Sequence, residues 1–269
     1  TPKQIVPALA DKAIYLASES SFYRILRDAG QLHHRGRARP ATTKKPIAYI
    51  ADGPNQVWSW DITYLASTLK GVFFYLYLFM DIYSRKIVGW EVYENESSEQ
   101  AADVLRKTRL TEVLPIHQEV VLHSDNGSPM KGATMLATMQ KLGVVPSFSR
   151  PSVSNDNPYS EALFKTLKYT PAYPSNPFES LDEARQWVLR FVDWYNNCHR
   201  HSGIKYVTPA QRHNDGDVAI LEQRKRLYED AKKKHPERWS GKTRNWLHEP
   251  IVRVNPGNEQ PVTRLQKVG

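Results

Sequence analysis

Three acidic residues stand where carboxylates could do joint work: Asp61 within WSWDIT, Asp125 within HSDNG and Glu161 within NPYSEALFKTLK. A carboxylate in the middle of an apolar strand is costly to bury unpaired. A divalent cation removes that cost. Hard carboxylate oxygens suit Mg²⁺, and two such ions about 3.5–4 Å apart stabilise both the attacking and the leaving oxygen of an in-line phosphoryl displacement. On this reading Asp61 bridges both ions while Asp125 and Glu161 hold one each. Glu161 follows Asp125 by 161 − 125 = 36 positions and is itself followed by Lys165 and Lys168. At about 100° per residue these three fall within a sector of roughly 60° on a helix, and Leu163, Phe164 and Leu167 take the other faces. One helix then offers a metal ligand and two cations to the same phosphate track.

The elements that must carry these residues follow from periodicity. Val57, Ser59, Asp61 and Thr63 alternate with Trp58, Trp60, Ile62 and Tyr64, which predicts a β-strand. Further strands are expected over Val72 to Asp81 and Lys86 to Val92, flanking the turn Tyr83-Ser84-Arg85. A helix over Glu99 to Thr111, a strand over Glu119 to His123, a helix over Gly132 to Leu142 and a strand over Val144 to Phe148 follow. A polar loop, 149–157, leads to a helix from Pro158 to Tyr169. A longer helix, Leu181 to Cys198, starts at the capping-box pair Ser180 and Glu183. The order βββαβαβ is that of a ribonuclease-H-like fold: an α/β, mixed five-stranded sheet with helices and the first strand in the centre.

The flanks differ in composition. Thr1 to Ala10 and Ser18 to Ala29 read as two short helices, the second with Phe22, Ile25, Leu26 and Ala29 on one face and Arg24 and Arg27 elsewhere, the pattern of a helix-turn-helix. From His33 to Pro46 there are Arg35, Arg37, Arg39, Lys44 and Lys45 and no acidic residue, a strap suited to tracking phosphates. Beyond Thr208 the chain turns polar and basic, with Arg224-Lys225-Arg226 and Lys232-Lys233-Lys234 on a helix and a short strand near Ile251 to Val254. Three segments are expected: 1–46, helix-turn-helix-like with its linker; 47–214, the catalytic core; and 215–269, a basic extension.

Composition narrows the function. Across 269 residues, 37 Lys and Arg against 28 Asp and Glu give a formal charge of +9, which favours a polyanion partner. The longest apolar run, Gly71 to Met80, is about half of the roughly 20 residues a bilayer span needs. A single Cys closes no intramolecular disulfide, and no amino-terminal stretch reads as a secretion signal.

The motifs WSWDITYL, MDIYSRKIVGW, HSDNGS, SRPSVSNDNPYSEALFKTLK and WYNNCHRHSGIKYVTPAQ, spread over Val57 to Gln211, resemble the retroviral-integrase superfamily of DDE transposases. The resemblance is specifically to bacterial insertion-sequence transposases made by a frameshift between two reading frames. It implies Asp61, Asp125 and Glu161 as catalytic triad and metal ligands, two Mg²⁺ ions replaceable by Mn²⁺, and Lys168 as a contact to the transposon end, with Lys165 matching a DNA-contacting lysine. It further implies cleavage at transposon ends, strand transfer by the freed 3′-OH, transposon-end and target DNA as partners, and at least a dimer on DNA. An upstream-frame partner protein and a bacterial cytoplasmic, nucleoid-associated location complete the expectation. The amino-terminal His-His-Cys-Cys zinc module of retroviral integrases cannot be built from one Cys, and no heptad run is visible.

Simpler readings exist for each residue singly. Asp125-Asn126-Gly127 is a turn signal in which positive φ is tolerated, and Glu161 lies in a first helical turn behind Asn157 as cap, where the helix dipole favours any carboxylate. Asp81 is expected to pair with Arg85 rather than bind metal, and His123 to be a satisfied strand-end histidine rather than one that orients a ligand. Cys198-His199-Arg200-His201 lacks the second cluster a zinc site needs. Asn196, His199 and His201 are expected to brace the active-site helix, and the seven Trp read as core residues, with base stacking as the alternative for Trp239 and Trp246 in the basic carboxy-terminal stretch. A structure-specific nuclease of the same fold and a catalytically inactive DNA-binding protein are the competing functions.

Overall fold

A computed structural model describes residues 1–31, 49–115, 118–149 and 157–254. Arg35, Arg37, Arg39, Lys44 and Lys45 lie outside the described residues, as does most of the loop before Glu161. The elements run α1 (Pro2–Ala10), α2 (Glu19–Asp28), β1 (Tyr49–Ala51), β2 (Val57–Ala66), β3 (Phe73–Asp81), β4 (Ile87–Tyr93), α3 (Ser98–Thr111), β5 (Val120–Ser124), α4 (Ser128–Lys131), α5 (Ala133–Lys141), β6 (Val144–Phe148), α6 (Pro158–Tyr169), α7 (Leu181–Asn197), α8 (Pro209–His213), α9 (Asp217–Lys234) and β7 (Val252–Val254).

The main sheet has the order β4-β3-β2-β5-β6, so β2 is central, as the βββαβαβ reading requires. β3 is antiparallel to both β2 and β4; β2–β5 and β5–β6 are parallel. Both faces of the sheet are covered. Trp58, Trp60, Tyr77 and Phe79 pack under α3 and α5 residues such as Ala101, Leu105 and Met139. Trp60 lies stacked on Phe79 at 5.0 Å. Leu65, Leu76, Leu78 and Met80 meet Leu163 and Leu167 of α6 and Trp187, Val188 and Phe191 of α7. At the start of α7, Ser180 Oγ accepts from Glu183 N at 3.1 Å and the Glu183 carboxylate accepts from Glu179 N at 2.6 Å. No helix among the described residues is long and apolar enough to cross a membrane.

The chain groups into two compact units whose borders are not those of its composition. One comprises residues 41–196 and 250–269, the other 1–40 and 197–249. The second unit is held by α1, α8 and α9 around Val6, Ala10, Ile204, Val207, Leu221, Tyr228 and Trp246. The core reading of its tryptophans holds, and the base-stacking alternative does not. Trp246 is 2% exposed, edge-on to Tyr228, and Trp239 stacks on Tyr15 at 5.6 Å. Arg224, the first residue of the Arg224-Lys225-Arg226 run, is wholly buried and forms a bidentate pair with Asp11 at 2.7 and 3.1 Å. A small amphipathic segment gains more by covering an apolar core than by exposing indoles.

Candidate active site

The sheet register brings two of the acids level. Parallel pairing of β2 with β5 sets Ser59 opposite His123, and two residues further along each chain are Asp61 and Asp125. Asp61 remains within β2, opposite Leu78 of β3, while β5 ends at Ser124 and releases Asp125 into solvent. Successive strand residues alternate faces, so Asp61 shares the face of Ser59.

That same face receives the first turn of α6. Ser59 Oγ donates to Asn157 Oδ1 at 2.6 Å and lies 2.7 Å from Ser160 Oγ, and Asn157 Nδ2 donates to the Trp60 carbonyl at 3.3 Å. Glu161 is the next residue. The expectation of Asn157 as a side-chain cap is thereby overturned: no side-chain capping bond forms, because the amide is committed to β2. Farther along α6, Leu163 and Leu167 are buried, and Glu161, Lys165 and Lys168 are exposed. The helical arithmetic of the sequence is thus realised as a wet face carrying one acid and two lysines.

Electrostatics ties the three acids together. Burial, then the charge of Asp125, then that of Glu161 and Glu96, raise the Asp61 pKa from 3.8 to about 7, against a 2.8 Å hydrogen bond from Ile62 N that favours the ion. Glu96, which accepts from Tyr64 Oη at 3.5 Å, was not anticipated. It lies outside any periodic element, and no signal in the sequence links it to Asp61. Ser59 and Asn157 were legible only as strand and cap.

Among the described residues no three His, Cys, Asp or Glu side chains stand close enough together to hold a metal ion as placed. The donor set nevertheless fits a hard divalent cation in kind: three carboxylates, one of them with its pKa raised by burial and then by like charges, both of which a cation would offset.

Other residues take structural places. Gly127 has φ −58°, so no left-handed turn is required there; a Cβ would instead come within 2.6 Å of Met130 Sδ, and glycine is what the close approach needs. The Asp81 carboxylate accepts from Ser84 N, Ser84 Oγ and Asn55 N, each at 2.7 Å, while the Arg85 guanidinium lies 4.1 Å from the centre of the Tyr159 ring. His123 is fully buried with hydroxyls on both ring nitrogens, as expected of a satisfied histidine. Asn196 clamps β4 rather than α6, accepting from Ile87 N at 2.9 Å and donating to Ile87 O at 3.0 Å. His201 caps a short turn through Gly203 N at 3.0 Å, and burial lowers the His199 pKa to about 4.

Sheet order and helix placement define a class, and comparison with known families agrees. The Integrase core domain family matches residues 51–154, and a second family of that description matches 142–209. The chain belongs to the integrase-core family. Within it, the chain is 33% identical over 164 residues to the "Transposase for insertion sequence element IS904" of Lactococcus lactis, covering 60% of this chain and 62% of that relative's length. It is 27% identical over 226 residues to the Escherichia coli "Transposase InsF for insertion sequence IS3A", covering 77% and 76%. Its place is among the insertion-sequence transposases of the IS3 type. A chain of the simian T-cell lymphotropic virus intasome in complex with PP2A regulatory subunit B56 gamma shares the fold, with TM-score 0.50 and 18% identity over 73% of this chain and 67% of that one.

Proposed function

We propose that this chain is the catalytic protein of a DNA transposon, which cleaves a phosphodiester at a transposon end with a divalent cation and joins the freed 3′-OH to a second strand. The observation that carries this reading is the placement of the acids: Asp61 and Asp125 lie level on adjoining strands, the helix that bears Glu161 is hydrogen-bonded to Ser59 on the same face, and Asp61 responds to the charge of both others. Magnesium ions held by these three residues, two in number and replaceable by manganese, would supply Lewis-acid charge to the attacking and leaving oxygens.

The chain's own residues do the rest. Half-buried Asp61 contributes a carboxylate whose protonation is poised near neutral pH, and the exposed Lys165 and Lys168 lie on one helix to neutralise phosphates flanking the scissile bond. The basic residues Arg35, Arg37, Arg39, Lys44 and Lys45 supply further charge for binding phosphate. No covalent protein intermediate is needed, since water and then the 3′-OH serve as nucleophiles. Joining two ends calls for at least two copies on DNA, together with a partner from the upstream frame. The bacterial nucleoid is the site of action.

A strand-transfer assay with a labelled end duplex tests this. Asp61→Asn, Asp125→Asn and Glu161→Gln should each keep the fold and duplex binding and lose joining by about a thousandfold or more, roughly 4 kcal/mol of barrier. Substantial joining in any of them would remove that residue from the triad. Cleavage without joining in the wild type would mark a structure-specific nuclease, and binding with neither would mark an inactive DNA-binding protein.

A further inference from the structure

A second polar row lies one pleat below the carboxylates. Register places Ser59 of β2 beside His123 of β5, and His123 beside Ser147 of β6. Residues level with each other in parallel strands point to the same side of the sheet, so the three form a line across the centre of the sheet, 0%, 0% and 7% exposed. Each stands two residues before a residue at the site's edge: Asp61, Asp125 and Ser149.

The hydrogen bonds leaving this row run to the segments that bear the acids. Ser59 holds Asn157 and Ser160, the residues four and one before Glu161. A neutral imidazole has one donor and one acceptor nitrogen, and His123 uses both, on Ser147 Oγ at 2.9 Å and Ser149 Oγ at 3.2 Å. Ser149 in turn donates to the Ser124 carbonyl, from its hydroxyl at 3.1 Å and its amide at 2.8 Å, and its own carbonyl accepts from Asn126 Nδ2. Ser124 and Asn126 are the two neighbours of Asp125.

Burying hydroxyls and an imidazole in a sheet gains little over apolar packing even when every bond is made. What such a network adds is direction, because hydrogen bonds fix relative position where apolar contacts tolerate sliding. We propose that Ser59 and His123 are positioning residues: the row Ser59–His123–Ser147, through Asn157, Ser160 and Ser149, sets the spacing of Asp61, Asp125 and Glu161. The inference rests on the reading of those acids as the cation-binding set.

The test is Mn²⁺ titration by calorimetry on the full chain, beside the joining assay. Variants are Ser59→Ala, Ser149→Ala, His123→Leu and His123→Gln, with Leu105→Ala, on the opposite face of the sheet, as a destabilised control. Ser59→Ala, Ser149→Ala and His123→Leu should weaken Mn²⁺ binding tenfold, and lower kcat for joining with KM for the end duplex unchanged. His123→Gln, which keeps a donor and an acceptor, should recover most of the loss, and Leu105→Ala should bind as the wild type does. A loss of fivefold or more in Ser59→Ala and Ser149→Ala supports the positioning role; a smaller one overturns it, and these two decide if His123→Leu fails to fold. Wild-type protein that neither binds Mn²⁺ nor joins ends overturns the functional reading itself, whereas intact wild-type binding with unaffected variants overturns only this inference.

Discussion

Buried charge is handled in opposite ways in the two units. In the helical unit, Arg224 has no exposed surface and meets Asp11 in a bidentate pair, with the carbonyls of Lys205 and Tyr206 taking further guanidinium protons at 2.8 and 3.1 Å. Arg200 adds a second cation to Asp11 at 2.5 Å. At the end of the sheet, Asp61 is given one amide and the fields of three other acids. Asp81, on the neighbouring strand, shows that the same sheet can satisfy a buried carboxylate fully, with three donors at 2.7 Å. Charges matched in sign and geometry fasten structure; like charges gathered beside a strand end carry a cost that only a cation or a proton relieves.

The contrast breaks first at Asp11. Removing it leaves Arg224 buried without its counter-charge, so Asp11→Ala should destabilise the protein by about 3 kcal/mol, whereas the double replacement Asp11→Leu with Arg224→Met should recover much of that. Thermal unfolding of both variants measures the difference. Equal destabilisation by the two would mean that the pair is not what holds α1 to α9.

A smaller effect is expected at Asp61, with the sign set by linkage. Its pKa is about 7 when folded against 3.8 as the ordinary value. Between those values the folded state binds more protons than the unfolded one, so stability present at low pH is lost as pH rises from about 4 through 7. Without divalent metal, the wild type should lose on the order of 2 kcal/mol over that range relative to Asp61→Asn. Adding Mg²⁺ at pH 8 should restore stability to the wild type and not to Asp61→Asn. A wild type whose pH profile matches that of the variant would remove the like-charge account. The smallest expected change concerns the exposed face of α6: Lys168→Ala should reduce the slope of log affinity for an end duplex against log salt by about one. An unchanged slope would place that lysine away from phosphate.

Legibility in the sequence followed the range of the interactions. The strand containing Asp61, the helix from Pro158 to Tyr169 and the order of the sheet could be read because each is written in local periodicity, and boundaries agree to within a residue or two. In the helical unit the helices over Thr1 to Ala10 and Ser18 to Ala29 were legible as α1 and α2, but their packing was not. Asp11 and Arg224 are 213 positions apart, and a pair so distant leaves no pattern in either segment, so nothing sets Arg224 apart from Lys225 and Arg226 in the sequence. Strand β1 has three residues and acquires its partner only at Val252–Val254. Within the site, the three acids were legible from residue type and spacing. Ser59 and His123 were not, since a hydroxyl or imidazole in a strand becomes meaningful only when the register sets it against another chain segment.

That short ribbon of β1 and β7 bears on how the protein can be dissected. Val254 packs with Ala51, Val57, Ile82, Tyr83 and Val121, and the Tyr159 hydroxyl, in the first turn of the glutamate-bearing helix, donates to the Arg253 carbonyl at 2.6 Å. A fragment trimmed at residue 209, where the family match stops, would bare an apolar seam and unpair a strand edge. It would also cut the tether between Tyr159 and the returning tail. Enzymologists who want the isolated core should therefore splice residues 250–254 back onto it.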